Sequence, residues 1–403
     1  MKCETKHIGW LLGSMLMLLL TACSSHHDDN NGVEERPTVI TFYVYAPERP
    51  MPTRAGDLLV NPIEGESAIT SLQIWVFAHD DGKLVGYLCP TELPTADGKV
   101  YQMAVSKEFA DAATKPNVDV YVAANTAAVN LTFDGETTRA TLDAAMIGTN
   151  YFGTTTTTLV SSVPTAGLPM SGVLLNQEVV GTNPVLRIGT DSYEGMAKVQ
   201  LQRAVSKVRF VFSQQQGVEE SEKLIITRLT LNGKVEEVDY GFPTEEYFFL
   251  GNDGNAYRIG STYVSGVTTL IDSSDPLSSI KESEDPSNYV YDPLVFSTAQ
   301  DYEDKIDGGV NGTVSEPDKK ELTQIGPFYF RETNKMLRGT ISYQMGEEGT
   351  EQTKTFSMVT PLGFSRNHSW IVYAYYGSGG LDVLTVFVKP WTEVTDNREL
   401  YNW

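Results

Sequence analysis

The chain has 403 residues, of which 41% are hydrophobic, and this length is enough for two domains of ordinary size. Acidic residues number 52 against 30 basic ones, which gives a formal net charge of −22. A surface this negative repels nucleic acid and anionic lipid headgroups, so we expect no nucleic-acid partner.

The N-terminal residues have the pattern of a lipoprotein signal peptide. Lys2 and Lys6 precede an apolar run over residues 8–20, which is too short for a helix that crosses a bilayer, since about 20 residues are needed. Small residues follow this run and end at Cys23. We therefore predict a signal peptide over residues 1–22 and a lipidated, palmitate-bearing Cys23 as the new N-terminus.

A strand pattern precedes a second cleavage signal. Residues 39–45 alternate between two sets of side chains with a period of two, which predicts a β-strand. Arg54 follows in a stretch flanked by proline and glycine, and such exposed stretches are where proteases cut. Cleavage between Arg54 and Ala55 would discard residues 23–54 as a propeptide and leave a gap in the sheet. Arg49 is a rival site, although a proline after arginine usually blocks cleavage.

Further strands are predicted in the first half of the chain. Alternating apolar residues bounded by turn signals predict them over residues 69–77, 83–89 and 118–123. The stretch 127–150 holds Leu142, Ala145 and Met146 at helical spacing, which predicts one short helix.

The densest strand pattern covers residues 197–212 and changes parity in its middle. Its large residues are Val199, Leu201 and Arg203 on one parity, and Val208, Phe210 and Phe212 on the other. A change of parity fits a bulge or a crossing between domains. We therefore place a boundary near residue 205 and predict two domains, over residues 55–205 and 206–403.

The second half of the chain has the same pattern of short strands. They are predicted over residues 224–231, 290–297, 326–331, 339–344, 354–360, 369–376 and 381–388. Many short strands with hardly any helix predict an all-β fold of β-sandwiches, and two sandwiches fit the length.

Groups that could carry catalysis are few. After Arg54 the only histidines are His79 and His368, and no nucleophile, zinc-binding or phosphate-binding motif occurs. Carboxylates are so numerous that a glycosidase pair can be neither selected nor dismissed by counting. We predict that the protein is not an enzyme and has no catalytic residue, no metal site and no cofactor.

Several short motifs occur in a fixed order along nearly the whole chain. They are the lipobox Thr21-Ala22-Cys23, the strand 39–45, Thr53-Arg54-Ala55-Gly56, the strand 69–77, residues 122–126, Pro169-Met170-Ser171-Gly172, residues 202–208, Arg366-Asn367-His368, residues 386–391 and the C-terminal Trp403. No single motif is specific, but the ordered set resembles the type V pilins, the fimbrillins of Bacteroidales.

The resemblance implies a fold and a processing route. The implied fold is two transthyretin-like β-sandwich domains in tandem. Such chains are exported as outer-membrane lipoproteins, cut by an arginine-specific protease after the first strand, and built into an extracellular fimbrium on the cell surface. The implied partners are other copies of the chain, related fimbrial subunits, and adhesion receptors on host or bacterial surfaces.

The resemblance also implies a donor strand near the C-terminus. In fimbrillins a strand from a second subunit fills the gap by β-strand addition, and repeated head-to-tail contact makes a filament. The residues predicted to take this role are Leu384, Val386, Val388, Trp391, Val394, Leu400 and Trp403. Two interpretations stay open for residues 381–403. In the first, residues 381–403 supply the donor strand. In the second, residues 381–391 are the last strand of their own domain and the tail beyond Trp391 is the donor.

Three alternatives to a stalk subunit remain, and the first is another fimbrial subunit, either an anchor or a tip. A stalk is favoured because Arg54 and the C-terminal tail are both present, whereas an anchor subunit keeps its lipid and a tip subunit needs no donor. A surface glycan-binding lipoprotein that is not cleaved would present Trp75, Trp370 or Trp391 to sugars, although the first two lie within strand patterns. A hydrolase that depends on one Asp or Glu is the third alternative.

Overall fold

The protein is described here from a computed structural model. The residues it describes are 37–46, 65–95, 97–148, 159–160, 162–189, 195–219, 222–231, 241–242, 244–250, 267–282, 323–333, 335–358, 364 and 366–390. A bilayer-spanning helix is not found within these ranges, where both α-helices have only five residues.

The elements of the first half are short strands with two helices between them. The strands are β1 (Val39–Tyr45), β2 (Leu72–Ala78), β3 (Leu84–Leu88), β4 (Lys99–Ala104), β5 (Val118–Ala124), β6 (Met146–Ile147), β7 (Leu159–Val160), β8 (Met170–Gln177), β9 (Val179–Thr182), β10 (Val185–Ile188), β11 (Lys198–Gln200) and β12 (Gln202–Arg203). The helices are α1 (Lys107–Asp111) and α2 (Arg139–Asp143), and a 3₁₀ turn covers Thr126–Val129.

Two five-stranded sheets enclose the first core. Sheet 1 contains β11, β1, β10 and β9 in that order, with β4 on the other edge of β1. Sheet 2 has the order β12-β8-β5-β2-β3. Because side chains alternate across a strand, the facing sides of the two sheets meet in a shared core. Ile40 and Leu186 of sheet 1 share a buried cluster with Ile74 and Val120 of sheet 2.

The second half adds two more sheets around a second core. Its strands are β13 (Ser206–Gln214), β14 (Leu224–Leu231), β15 (Glu246–Tyr247), β16 (Thr268–Ile271), β17 (Thr323–Phe330), β18 (Leu337–Met345), β19 (Gln352–Met358), β20 (His368–Gly377) and β21 (Gly380–Pro390). Sheet 3 has the order β21-β20-β13-β17-β7, and sheet 4 has the order β16-β14-β18-β19. Their buried side chains form a separate cluster that includes Val208, Phe210 and Ile341.

The central strand of sheet 3 continues directly from the first half. Ala204 and Val205 alone separate β12 in sheet 2 from β13 in sheet 3. β13 pairs parallel with β20 and antiparallel with β17, and it is buried along its length. The chain therefore enters the second core through a strand that has neighbours on both edges.

A short segment from the second half returns to the first core. β15 pairs antiparallel with β6. Phe248, Phe249 and Tyr329 then join the buried cluster of the first half. Both halves of the chain therefore contribute side chains to the junction between the two cores.

The predicted all-β fold of two sandwiches is confirmed, with local differences. β2 begins at Leu72 rather than at residue 69, because the Thr70 backbone N–H is hydrogen-bonded to the Asn125 side chain instead of to a strand. The predicted helix is the short α2, whereas Met146 lies in β6. The strand predicted over residues 290–297 lies outside the described residues, and the boundary near 205 stays a prediction.

Candidate assembly site

β1 is a central strand with neighbours along both edges. β4 runs antiparallel to it, from Val39 opposite Ala104 to Val44 opposite Lys99. On the other edge, β10 pairs with the first part of β1 and β11 with the last part, both parallel to it. Removal of β1 would therefore leave two rows of unpaired backbone N–H and C=O groups, which is a costly arrangement for a folded protein.

The inward face of β1 is part of the first core. Ile40, Phe42 and Val44 are each 0% exposed and lie in the first buried cluster. A fully buried side chain of this size contributes roughly 2 kcal/mol, so the three together contribute about 6 kcal/mol. Any strand that replaced β1 would need large apolar side chains at the same three alternate positions.

The outward face of β1 is also covered, but unevenly. Thr41 is 5% exposed, and its hydroxyl has no hydrogen-bond partner among the described residues. Tyr43 is 7% exposed and stacks on Tyr45, with 5.7 Å between ring centroids. The ring of Tyr45 covers Gly98, whose φ of +78° favours glycine and where a Cβ atom would overlap that ring. Position 41 therefore suits a small side chain and position 43 a large one.

The chain that follows the predicted cleavage site is held by a buried asparagine. Asn125 accepts hydrogen bonds at Oδ1 from the backbone N–H of Thr70, at 2.8 Å, and from its hydroxyl, at 3.1 Å. Its Nδ2 donates to the carbonyls of Ala68, at 2.8 Å, and Leu168, at 2.7 Å. Asn125 is buried and left-handed, with φ 57°, a conformation that asparagine tolerates well.

A buried ion pair fixes the same segment to the junction. The carboxylate of Glu66 accepts from Lys207 Nζ at 3.0 and 3.2 Å and from the Tyr329 hydroxyl at 2.6 Å. Arg203 donates to the carbonyl of Glu66 at 2.9 Å. Burial lowers the pKa of Lys207 to about 7, against the opposing effect of Glu66, and lowers the pKa of Arg203 to about 10. Loss of one partner would leave an uncompensated buried charge, so this pair holds the segment firmly.

A second buried charged cluster lies at the junction. Arg366 donates to Glu332 Oε2 at 3.3 Å, to the carbonyl of Phe248 at 2.8 Å, and to the carbonyl of Tyr247. Glu246 Oε2 accepts from the backbone N–H of Glu332 at 2.7 Å. Burial raises the pKa of Glu332 to about 8 and that of Glu246 to about 7, although Arg366 opposes both shifts.

Most of the predicted processing and donor residues lie outside the described part of the chain. These are Cys23, Arg54, Ala55, Trp391, Val394, Leu400 and Trp403. The other predicted donor residues, Leu384, Val386 and Val388, lie in β21. Within one chain β21 and β1 belong to different sheets, so these donor residues are not brought to β1.

β21 is an edge strand. Among the described strands it pairs with β20 alone, from Gly380 opposite Gly377 to Pro390 opposite His368. Gly380 has a φ of +102°, which an L-residue with a side chain rarely adopts, at the turn that connects the two strands. β21 is therefore held through one edge, whereas β1 is held through two.

Among the described residues, one histidine–carboxylate contact resembles a catalytic pair, and it has a structural explanation. His79 Nδ1 lies 2.7 Å from Asp119 Oδ1. The buried Asp119 also accepts from Arg139, at 2.8 Å, and from the backbone N–H of Asn176, at 2.8 Å. These contacts hold the ends of β2, β5 and β8 together. In the ranges described, no three His, Cys, Asp or Glu residues are grouped so that they could hold a metal ion.

Two of the three tryptophans considered for sugar binding are unsuited to it. Trp75 and Trp370 are buried in the first and second clusters. Trp75 Nε1 donates to the carbonyl of Asp134 at 2.8 Å. The hypothesis that these two side chains form a sugar platform is therefore wrong, and Trp391 lies outside the described residues.

The sequence did not indicate the strands that flank β1 or the buried charges at the junction. β4 and β10 were not predicted, and the acidic residues were assigned to the surface. One signal for the charges was present, because Arg203, Lys207 and Arg209 occur within an otherwise apolar strand pattern. Buried cations need carboxylate or carbonyl partners. Glu66 supplies its carboxylate to Lys207 and its backbone carbonyl to Arg203.

Residues 51–227 match the family model described as major fimbrial subunit protein (FimA). The predicted resemblance to the fimbrillins is confirmed. The matched stretch begins after β1 and ends within β14, so it contains the rest of the first sandwich and the crossing into the second. The curated proteins include no match to the chain.

Solved structures of fimbrial proteins are also similar to the chain. A fimbrial assembly protein from Parabacteroides distasonis has 14% identity and a TM-score of 0.40, and the match covers 88% of this chain and 98% of that one. The tip fimbrial protein Mfa3 from Porphyromonas gingivalis, with a C-terminal truncation, has 10% identity and a TM-score of 0.43, over 88% of this chain and 100% of that one. No residue role is transferred from either structure.

Proposed function

We propose that this fimbrillin is a structural subunit, of the stalk type, in a fimbrium on the cell surface. It is lipidated at Cys23 during export to the outer membrane, cleaved between Arg54 and Ala55 by an arginine-specific protease, and joined to other copies by β-strand exchange. The observation that carries the proposal is the position of β1, a buried central strand that lies upstream of the cleavage signal.

The contacts on either side of Arg54 support cleavage as the trigger. Upstream, the peptide link from β1 to the rest of the first sandwich runs through residues 47–64. Downstream, the chain is fixed from residue 66 onwards, by Glu66 and by the Asn125 contacts to Ala68 and Thr70. A cut between these two regions would break the peptide link to β1 and leave the rest of the first sandwich anchored.

The two-edged pairing of β1 supports strand exchange as the means of assembly. After the cut no peptide bond joins β1 to the rest of the first sandwich, so another strand can compete for its position. A vacant position would expose the first core and two unpaired strand edges, which makes an empty subunit costly and a filled one favourable. Addition of a strand from a second copy restores the ladders on both edges.

Replacement of Arg54 tests the proposal, with Arg49 as the matched control. Arg54→Ala should abolish the SDS-resistant ladder of assembled subunits and leave a lipid-anchored monomer on the cells. Arg49→Ala should assemble normally, because Pro50 already protects that bond. Normal ladders from Arg54→Ala would refute cleavage at this residue as the trigger.

A second measurement separates the stalk from the other fimbrial roles. Intact mass and N-terminal analysis of the native surface protein should find a chain that starts at Ala55 and migrates in the ladder. A chain that starts at lipidated Cys23 and runs as a monomer would instead identify an anchor subunit or an uncleaved surface lipoprotein. Adhesion to host or bacterial surfaces is then a property of the assembled fimbrium.

A further inference from the structure

Strands β2 and β5 of sheet 2 are buried on both faces, whereas an antiparallel sheet in a sandwich commonly has one face in solvent. Gly172 of β8 lies opposite Val122 of β5, and a Cβ atom at Gly172 would lie 2.8 Å from the Val199 side chain in sheet 1. The Val122 side of sheet 2 therefore faces sheet 1. Because side chains alternate along a strand, Tyr121 and its partner Trp75 point away from sheet 1, yet they are 3% and 0% exposed. A further layer covers this outer face.

The layer over the outer face of sheet 2 is built from aromatic rings of both halves of the chain. Phe133, from the first half, packs edge-on against Trp75, with 5.7 Å between ring centroids. Phe249, from the second half, packs edge-on against Tyr121 at 5.4 Å. Phe248 joins the two groups, at 4.9 Å from Phe249 and 6.4 Å from Phe133. The rings therefore form one connected network that the second half completes.

Residues 246–249, here called the strap, are hydrogen-bonded to both sandwiches. The backbone N–H of Phe248 donates to the carbonyl of Ala145 at 2.8 Å, and its carbonyl accepts from the Ser171 hydroxyl at 2.7 Å. Arg366, which precedes β20 of the second sandwich, donates to the same carbonyl at 2.8 Å. The backbone of the strap is therefore fixed to both sandwiches at the residue whose ring lies deepest in the aromatic layer.

We propose that the strap makes the two sandwiches one cooperative unit, in which opening of the second sandwich also opens the first. Domains in tandem move relative to one another by default unless their interface is large and apolar. Here, separation would withdraw the rings of Phe248 and Phe249 and uncover Tyr121 and Phe133. Loss of one buried phenylalanine ring shifts a folding equilibrium by about 100-fold or more, so withdrawal of two is strongly unfavourable.

The buried ion pair at the junction acts in the same direction. Glu66 precedes the first strand of sheet 2, whereas Lys207 and Tyr329, which bond to its carboxylate, lie in sheet 3. Separation of the sandwiches would leave the charge of Glu66 without these two partners. The ion pair is therefore a second attachment between the sandwiches, and the experiment must distinguish its effect from that of the strap.

The inference concerns the single subunit and depends on neither cleavage nor strand exchange. If the proposed function also holds, each subunit is one stiff link of the fimbrium. Bending is then confined to the joints between subunits.

Hydrogen exchange of the precursor that starts at Ser24 tests the coupling. Phe356 is buried in the second core on β19, so Phe356→Ala should accelerate exchange of the slowest amides of β18 by about 100-fold or more. If the sandwiches are coupled, the slowest amides of β5 in the first sandwich should accelerate by the same factor. With Phe248→Ala and Phe249→Ala also present, Phe356→Ala should act on β18 and leave β5 unchanged.

Phe109→Ala is the matched control for the strap variant. Phe109 is a buried ring of the first cluster that lies outside the strap. With Phe109→Ala present, Phe356→Ala should still accelerate β5 and β18 together. Loss of the shared response in this control would show that any destabilisation of the first sandwich removes it, and would overturn the role of the strap.

The remaining outcomes are also decisive. Acceleration confined to β18 while the strap is intact would overturn the proposal. A shared acceleration that survives removal of both strap rings would assign the coupling to the pair of Glu66 and Lys207 instead. Should the strap variant not fold, calorimetry of the unmodified precursor decides, with one transition of equal calorimetric and van't Hoff enthalpy as the expected result and two separate transitions as the refutation.

Discussion

Phe42→Ala should destabilise the uncleaved precursor and leave the assembled polymer unaffected. Phe42 is fully buried in the middle of a central strand, and truncation of such a side chain to alanine costs about 3–5 kcal/mol through lost burial and the cavity left behind. Whole domains are stable by only about 5–15 kcal/mol, so the loss is large. After cleavage and exchange the residue is no longer present, and its effect should disappear.

Phe77→Ala is the matched control. Phe77 is equally buried in the same cluster but lies in β2, which stays in the mature chain. Urea unfolding of a leaderless precursor that starts at Ser24 should show a similar loss for both variants. The temperature at which SDS dissociates the native polymer should fall for Phe77→Ala alone. An equal fall for Phe42→Ala would mean that β1 stays in the polymer, and an unchanged precursor would mean that β1 contributes little to the core.

Two further predictions concern the buried charges at the junction. Glu66→Ala should lower the free energy of urea unfolding by about 3–5 kcal/mol, because Lys207 is left buried without its carboxylate. Loss of the exposed Lys107–Asp111 pair should have no measurable effect. Equal effects of the two changes would refute the role of burial. Glu332, with its pKa raised to about 8, keeps a proton that the unfolded chain releases near its ordinary value of 4.5. The contribution of Glu332 to stability is therefore fully present below pH 4.5 and is lost as the pH rises through about 8. Glu332→Gln should flatten the pH dependence of the melting temperature. An unchanged slope of melting temperature against pH would contradict the raised pKa of Glu332.

The sequence predicted the elements of the site more completely than their arrangement. β1 was predicted with its observed bounds, because Ile40, Phe42 and Val44 alternate clearly with the residues between them. Its central place could not be predicted, since pairing with β4, β10 and β11 joins residues far apart in the chain. β10 has only four residues, too few for a clear period.

The buried charges show a different limit. The ion pair between Glu66 and Lys207 joins residues 141 positions apart, and nothing near Glu66 in the sequence distinguishes it from the many solvated carboxylates. Asn125 belonged to a motif that supported the family resemblance, but its role, which is to hold Ala68 and Leu168 together, depends on tertiary contacts. Motif order therefore indicated the family, while the physical role of each motif required the fold.

The covalent continuity of β13 has a consequence for the shape of the assembly. β13 is the counterpart of β1 in the second sandwich, parallel to one neighbour and antiparallel to the other, but it is joined to β12 through only two residues. In the proposed route, proteolysis at Arg54 would therefore free one such strand in each subunit and not the other. In the terms of polymer chemistry, each processed subunit is a monomer with two different reactive groups, one vacated strand position and one strand to donate. Such monomers grow into linear chains with a defined polarity and have no means of branching.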